Sequence, residues 1–385
     1  MEIDNIISLK LKNVKDVIRV VRFSDHMSRK TLANILGLSF ATISNISNSL
    51  IEQGIFQEDS ANGEKTVGRS TKYILLNKDK YKIVGISLEG KGVVRFCIVN
   101  LKNEIIAQKT MRCGTETDII SFVEQLTALY FAFLDELKLN ETEIIGVGVA
   151  VPAIFNRENE CIVSSEIPLL ENQPLKRYLE DRLKKDVFID NDANLCVISI
   201  KNKVESENIV YMFISEGLGI GALHNGRMMR GERGFATEIC HFPLGKLDKK
   251  CWLCGSYDCL QTDISKSGFA DKYSIAIKKT ATWDEFLCAL RSNESAALSV
   301  AAENAAILGK ALSSVVNLLD SQKVIIGGVP QELYSAMSDD VLREINIRKI
   351  VHSMDDFELF FDDESYENII LGATEVVFDK WYPNI

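Results

Sequence analysis

His241, Cys251, Cys254 and Cys259 follow one another as H-x9-C-x2-C-x4-C. Three thiols and an imidazole are the soft and borderline donors that hold a tetrahedral Zn²⁺, and C-x2-C is a common zinc-knuckle spacing. Two states fit these residues: a structural zinc site, or three reduced or partly oxidised cysteines in a loop. Cys97, Cys113, Cys161, Cys196 and Cys288 fall in apolar or helical stretches and read as small core residues. Nine cysteines scattered over 385 residues are an odd number in a large chain, which argues against a secreted disulfide framework.

Such a site needs a fold to carry it. At roughly 100–200 residues per domain the length predicts two or three domains, with a core large enough to need no staple. With 46% hydrophobic and 25% charged residues the composition is that of an ordinary soluble globular protein. No apolar run reaches the roughly 18–20 residues of a membrane span, and Met1-Glu2-Ile3-Asp4 starts no basic, then apolar, leader. A cytoplasmic location is therefore expected.

Charge is unevenly shared. Residues 1–80 carry 12 Lys+Arg against 9 Asp+Glu, whereas the other 305 carry 32 against 45. A mildly basic head on an acidic body is the expected distribution where only the head meets nucleic acid. In that head, Val14, Val17, Ile18 and Val21 repeat at helical spacing. Ser28 caps a second helix that Gly37 ends, and Ser39 caps a third running through Ile43, Ile46 and Leu50 to Gly54. Helix, short Gly-containing turn, helix predicts a helix-turn-helix, and two short strands around residues 60–68 make it winged. The alternative is a three-helix scaffold that binds no nucleic acid.

The third helix would offer Thr42, Asn45 and Asn48 to base edges, Asn being able to contact adenine bidentately. No Lys or Arg lies between Ser39 and Gln53, so phosphate neutralisation falls to Arg29, Lys30, Lys65, Arg69 and Lys72.

In the body, strands over 81–89, 93–100 and 104–109, a helix over 118–137 and a strand over 144–151 are followed by a similar series. Its members are strands over 210–215, 219–224 and 227–230, a helix over 295–319 and a strand over 324–326. This repeat predicts two related α/β lobes with a cleft between them. Gly146-Val147-Gly148-Val149-Ala150-Val151-Pro152-Ala153, Asp190-Asn191-Asp192-Ala193-Asn194, Glu238-Ile239-Cys240-His241, Cys254-Gly255 with Cys259-Leu260, and Val324-Ile325-Ile326-Gly327-Gly328 stand in the order and spacing of the ROK family (repressors, open reading frames and sugar kinases). The whole chain, with Gly68-Arg69 in the wing, resembles the repressor branch.

That resemblance implies an α/β fold: a winged helix-turn-helix over residues 1–79 and a two-lobed actin-like, ribonuclease H-like duplicated domain over 80–385. Lobe one would span about 80–195 plus the C-terminal helix, and lobe two about 196–368. It implies a homodimer and a structural zinc on His241, Cys251, Cys254 and Cys259. It also implies a sugar-facing set of Asn191, Asp192, Glu238, His241 and Gln261, with His241 touching both metal and sugar. The family spaces its first two cysteines as C-x-C, has Gly where Cys240 stands and Glu where Gln261 stands. An empty cleft of satisfied polar remnants is the other reading of the sugar set.

Family kinases carry Asp-x-Gly-Gly-Thr where this chain reads Ser87-Leu88-Glu89-Gly90-Lys91, and Gly-Thr-Gly where it reads Glu216-Gly217-Leu218. Carboxylates where a polyanion would lie oppose nucleotide binding, so no ATP use and no enzymatic activity are expected. Two functions follow. One is a transcriptional regulator whose head binds operator DNA and whose body senses a small carbohydrate. The other is an anti-repressor that contacts another repressor protein, as in the regulation of methicillin resistance within the family, with weak or no DNA or sugar binding.

Overall fold

The computed structural model describes residues 2–60, 72–113, 118–156, 158–201, 203–204, 206–350 and 357–383. Lys65, Gly68 and Arg69 of the expected wing lie outside them. The head begins with α1 (Glu2–Arg22), then β1 (Met27–Ser28), α2 (Arg29–Leu36), α3 (Phe40–Glu52), β2 (Phe56–Ser60) and β3 (Lys72–Leu76). The caps are where local chemistry puts them. Ser28 accepts from the Thr31 amide, Ser39 from the Thr42 amide, and Gly37 ends α2 in the left-handed region at φ 63°. The three strands form an antiparallel sheet in the order β1-β3-β2.

Lobe one contains β4 (Lys82–Leu88), β5 (Val93–Asn100), β6 (Ile105–Arg112), α4 (Ile119–Glu136), β7 (Ile144–Val151), the hairpin β8 (Ala153–Asn156) and β9 (Cys161–Ser165), α5 (Leu175–Leu183) and β10 (Val187–Asn191). Its sheet has the order β10-β7-β4-β5-β6. Next come α6 (Asp192–Ile200), β11 (Ile209–Ile214), β12 (Leu218–His224), β13 (Arg227–Met228), α7 (Leu260–Asp263), α8 (Lys266–Ile277), α9 (Trp283–Arg291) and α10 (Ser295–Leu319). The chain closes with β14 (Lys323–Gly327), α11 (Gln331–Arg348), β15 (Glu358–Asp362) and α12 (Ser365–Lys380).

The second sheet runs β13-β12-β11-β14-β15, so each lobe has three antiparallel strands followed by two parallel ones. The expected repeat is present, extended in each lobe by a further helix and a fifth strand. The strand expected over 227–230 is shorter, ending at Met228. Helix α10 buries Ala297, Ala301, Leu308 and Leu312 in the core of lobe two. Two of the cysteines expected in cores are not there: Cys161 is half-buried and Cys288 is exposed on α9. Among the described residues no helix is long and apolar enough to cross a membrane.

The helix that follows each sheet packs on the other one. Helix α6 follows β10 but lies on β12, where a Cβ on Gly221 would meet the Ala193 carbonyl at 2.5 Å. Helix α12 follows β15 but lies on lobe one, where a Cβ on Gly148 would sit 2.2 Å from the Ala373 carbonyl. The two helices also cross each other closely: a Cβ on Gly372 would lie 2.0 Å from the Leu195 carbonyl. Only glycine tolerates such backbone approach.

The outer side of α12 holds the head. Val14, Ile18, Ile55 and Phe56 share one apolar core with Ile83, Val99, Ile370 and Phe378. Arg22 donates two 2.8 Å hydrogen bonds to the Glu375 carboxylate, both side chains being buried, and its guanidinium lies 3.8 Å from the Phe378 ring centre. Lys15 donates to the carbonyls of Phe378 and Trp381 at the end of α12, and burial lowers its pKa to about 8. Removing one partner of a buried pair strands the other charge. Glu375→Gln is therefore expected to lower unfolding stability by about 3 kcal/mol. Arg19→Ala, which breaks the half-exposed Arg19–Asp379 pair, is expected to change it by less than about 1 kcal/mol. Denaturant titration of both variants checks the contrast, and equal losses would contradict it.

Candidate functional site

The cleft is built where β10 runs into α6. Asn191 is the N-cap, its side-chain oxygen accepting from the amides of Ala193 and Asn194, and its amide nitrogen reaches the Ala153 carbonyl at 3.4 Å. Asp190 is held by Arg230 at 2.5 Å and by Asn194, which joins the end of β10 to the loop after β13. Asp192 occupies the first helical position. Its Oδ1 is buried and has no hydrogen-bond partner, and its pKa is raised well above the usual carboxylate range by burial, then by Glu166 and Glu89.

Asn191, Asp192, Glu238 and Gln261 converge on one cavity of about 70 Å³, with Ser164, Glu166, Phe213, Trp252 and Leu253 among its other walls. That is well below the roughly 300 Å³ at which ligand pockets begin. A larger cavity, about 360 Å³, adjoins it between the outer edge of β10 and the β13–Glu238 segment, and Asn191 and Glu238 line both. His241 lines neither cavity. It turns Nδ1 to the cysteines instead, 3.5 Å from Cys259 Sγ and 3.8 Å from Cys251 Sγ.

Cys254 and Cys259 bring their sulfurs to 3.2 Å, and the four donor atoms all lie within 4.8 Å of one another. With Zn–S near 2.3 Å and Zn–N near 2.0 Å, the edges of a tetrahedral site are about 3.4–3.8 Å. Donor chemistry and spacing therefore fit a metal. Burial holds the His241 pKa below its usual value, favouring the neutral imidazole that ligates. Gln261 is buried and donates from Nε2 to Cys251 Sγ at 2.8 Å. The amide that replaces the family's glutamate thus donates to the sulfur, which a carboxylate cannot do. Cys240 does not point into the cluster: its thiol donates to Glu238 Oε2 at 3.3 Å, and burial raises the Glu238 pKa.

Three features of the site carry no signal in the sequence: Glu166, the Asp190–Arg230 pair and the Trp252–Leu253 wall. Glu166 lines the cleft, with its amide donating to the Pro152 carbonyl beside the β8–β9 hairpin. Its pKa is pushed up to about 7 by burial and by the Glu216 carboxylate. Glu89 pairs with Arg95.

In the head, Asn45 and Asn48 are exposed on α3 and Thr42 is half-buried. Arg29 donates to Asn48 Oδ1 at 2.9 Å and pairs with Glu58, which also pairs with Lys72. Lys30 is exposed on α2.

Two duplicated lobes closing on a polar cleft define an actin-like α/β protein. The chain belongs to the ROK family, whose model matches residues 83–352. It is 25% identical to the xylose repressor of Caldicellulosiruptor bescii, over 96% of both chains. In structure it resembles a ROK family transcriptional regulator described as a homologue of the Escherichia coli MLC protein (TM-score 0.85, 20% identity, 96% of both chains). A ROK hexokinase from Thermus thermophilus matches less of it: TM-score 0.64 and 21% identity, over 76% of this chain and 97% of that one.

A folded-state pKa near 7 for Glu166, against about 4.3 unfolded, means the folded protein binds the extra proton between those values. Stability then falls as pH rises through that window. Glu166→Gln is expected to stabilise the protein by on the order of 1–3 kcal/mol at pH 8 and by little near pH 4. Thermal unfolding across pH checks this, and a pH-independent difference would contradict it.

Proposed function

We propose that this chain is a cytoplasmic, homodimeric, non-enzymatic transcriptional regulator of the ROK family. Its winged helix-turn-helix head meets operator DNA through Thr42, Asn45, Asn48, Lys30, Arg29 and Arg69. Its body takes a small carbohydrate at Asn191, Asp192, Glu238 and Gln261, and zinc sits on His241, Cys251, Cys254 and Cys259. The observation that carries this reading is the head: a repressor and a transcriptional regulator align with nearly the whole chain, whereas the hexokinase aligns with three quarters of it.

Loss of ATP use is supported by charge. Glu89 and Glu216, which replace residues of the kinases' phosphate loops, line one cavity, and a carboxylate there opposes a polyanion by Coulomb repulsion. The signal would run as a population shift: ligand moves one lobe against the other, α6 slides on α12, and α1 carries the change to the two heads of the dimer.

An anti-repressor that contacts a repressor protein is the second reading. It is favoured by Ile35 and Phe40, both more than half exposed at the α2–α3 turn, and by the capture of Arg29 and Lys72 by Glu58.

Mobility-shift titration of the purified protein on its own promoter region separates the two. The first reading expects binding that weakens steeply with salt, and a loss of about tenfold or more for Asn45→Ala with Asn48→Ala. Absence of salt-dependent binding, with a repressor retained on the protein and lost on Phe40→Ala, selects the second. Incubation with ATP and hexoses is expected to give no sugar phosphate; turnover abolished by Asp192→Ala would refute the loss of kinase chemistry. Elemental analysis is expected to give about one zinc per chain, lost in Cys259→Ser; none in protein purified without chelator would remove the metal.

A further inference from the structure

The larger cavity of the cleft follows one face of α6. Asn191, Asn194, Ile198 and Lys201, three or four residues apart along that helix and its caps, all line it. At 1.5 Å per residue they mark out a groove about 15 Å long. One end meets Asn191 and Glu238, which it shares with the sugar-facing cavity, and the other meets Asp379, the acceptor of Arg19 from α1. Its volume of about 360 Å³ is that of a ligand pocket, which the inner cavity of about 70 Å³ is not.

A second observation sets this groove apart. Thr237, which lines it immediately before Glu238, has φ 71°. A β-branched residue in the left-handed region is a backbone outlier, and such residues persist where their surroundings over-determine them, above all at ligand clamps and active sites. Thr237 Oγ1 donates to the Ile220 carbonyl at 2.8 Å, and Ile220 borders both cavities. The strained backbone is therefore held where the two cavities meet. The walls also favour one kind of molecule. Their charges pair with each other: Arg230 with Asp190 at 2.5 Å, Lys201 with Asp379 at 3.6 Å, and Lys176 with Glu160. Such pairs present hydrogen-bonding groups without a net field that would draw an ion of either sign. Phe188, Met228 and Val376 supply apolar surface. Hydroxyls on an uncharged ring with C–H faces match both.

We propose that this groove is a second sugar subsite, so that the effector of the cleft is a short uncharged oligosaccharide rather than a single sugar. The inference rests on the carbohydrate reading above: the first unit lies in the inner cavity and the next along α6. Asn191 and Glu238, which border both cavities, meet the linkage between the two units. A straight path along a helix suits an extended β-1,4-linked chain better than a coiled α-linked one. The far end of the chain then lies beside Asp379, the partner of Arg19 in the head.

Isothermal titration of the full chain at pH 7.5 with glucose, cellobiose, xylose and xylobiose tests this, both dimers being β-1,4-linked. At least one dimer is expected to bind about tenfold or more tightly than its own monomer. Binding of a dimer whose monomer gives no measurable heat counts as the same gain. Met228→Trp fills the groove from a residue that does not border the inner cavity. It is expected to erase the gain while leaving monomer affinity within about twofold, with thermal unfolding showing that the variant folds. Monomers that bind as tightly as their dimers would overturn the inference and leave the carbohydrate reading standing. A gain that survives in folded Met228→Trp would also overturn it, by placing the second unit elsewhere. Binding of none of the four sugars would overturn the inference and count against the carbohydrate reading as well.

Discussion

The structure depends on the crossing of α6 and α12. Each helix is covalently attached to one lobe and packed on the other; their crossing is so close that glycine is required at position 372, and their seats on the sheets require it at 148 and 221. A contact of that kind has no slack: a bulkier residue at any of the three would meet backbone carbonyl rather than a side chain that can turn away. Packed helices of this kind, where they do shift, do so in small, discrete sliding steps.

The head is gripped from the same helix. Arg22, Lys15 and Arg19 of α1 all find their partners on α12 or just beyond it, and Phe378 lies beneath two of those cations. Because the Arg22–Glu375 pair is buried, its value lies in geometry more than in net stability: one arrangement satisfies both groups, and every other strands a charge. The contacts that tie α12 to α1 therefore tie it to the base of the head as well.

How far the sequence disclosed this depends on the range of the interaction concerned. Ser28, Gly37 and Ser39 mark the ends of α2 and α3 correctly because capping is settled within three or four residues. The duplicated strands were legible through their apolar runs, and the glycines at 146 and 148 as a motif. The reason for Gly148 was not legible, since its contact is with Ala373, far along the chain. Glu166 has no distinguishing pattern, and Gln261, which reads as a sugar contact, gives no sign in sequence of its bond to the Cys251 sulfur. Cys288 misled for the opposite reason: a helical stretch rich in apolar residues does not tell which side of the helix a given thiol occupies.

Gln261 also shows why the cysteine loop and the cleft should be considered together. Trp252 and Leu253, the two residues between Cys251 and Cys254, form part of the cleft wall. Their position is therefore set by whatever draws the thiols and His241 into one cluster. Gln261 bridges the two regions, with Nε2 on the Cys251 sulfur and Oε1 3.7 Å from where a Gly217 side chain would start. A glutamate at this position could not donate to the Cys251 sulfur. The amide makes that bond and keeps one oxygen for the cleft, so the departure from the family pattern does not by itself mean that the cleft has lost its ligand.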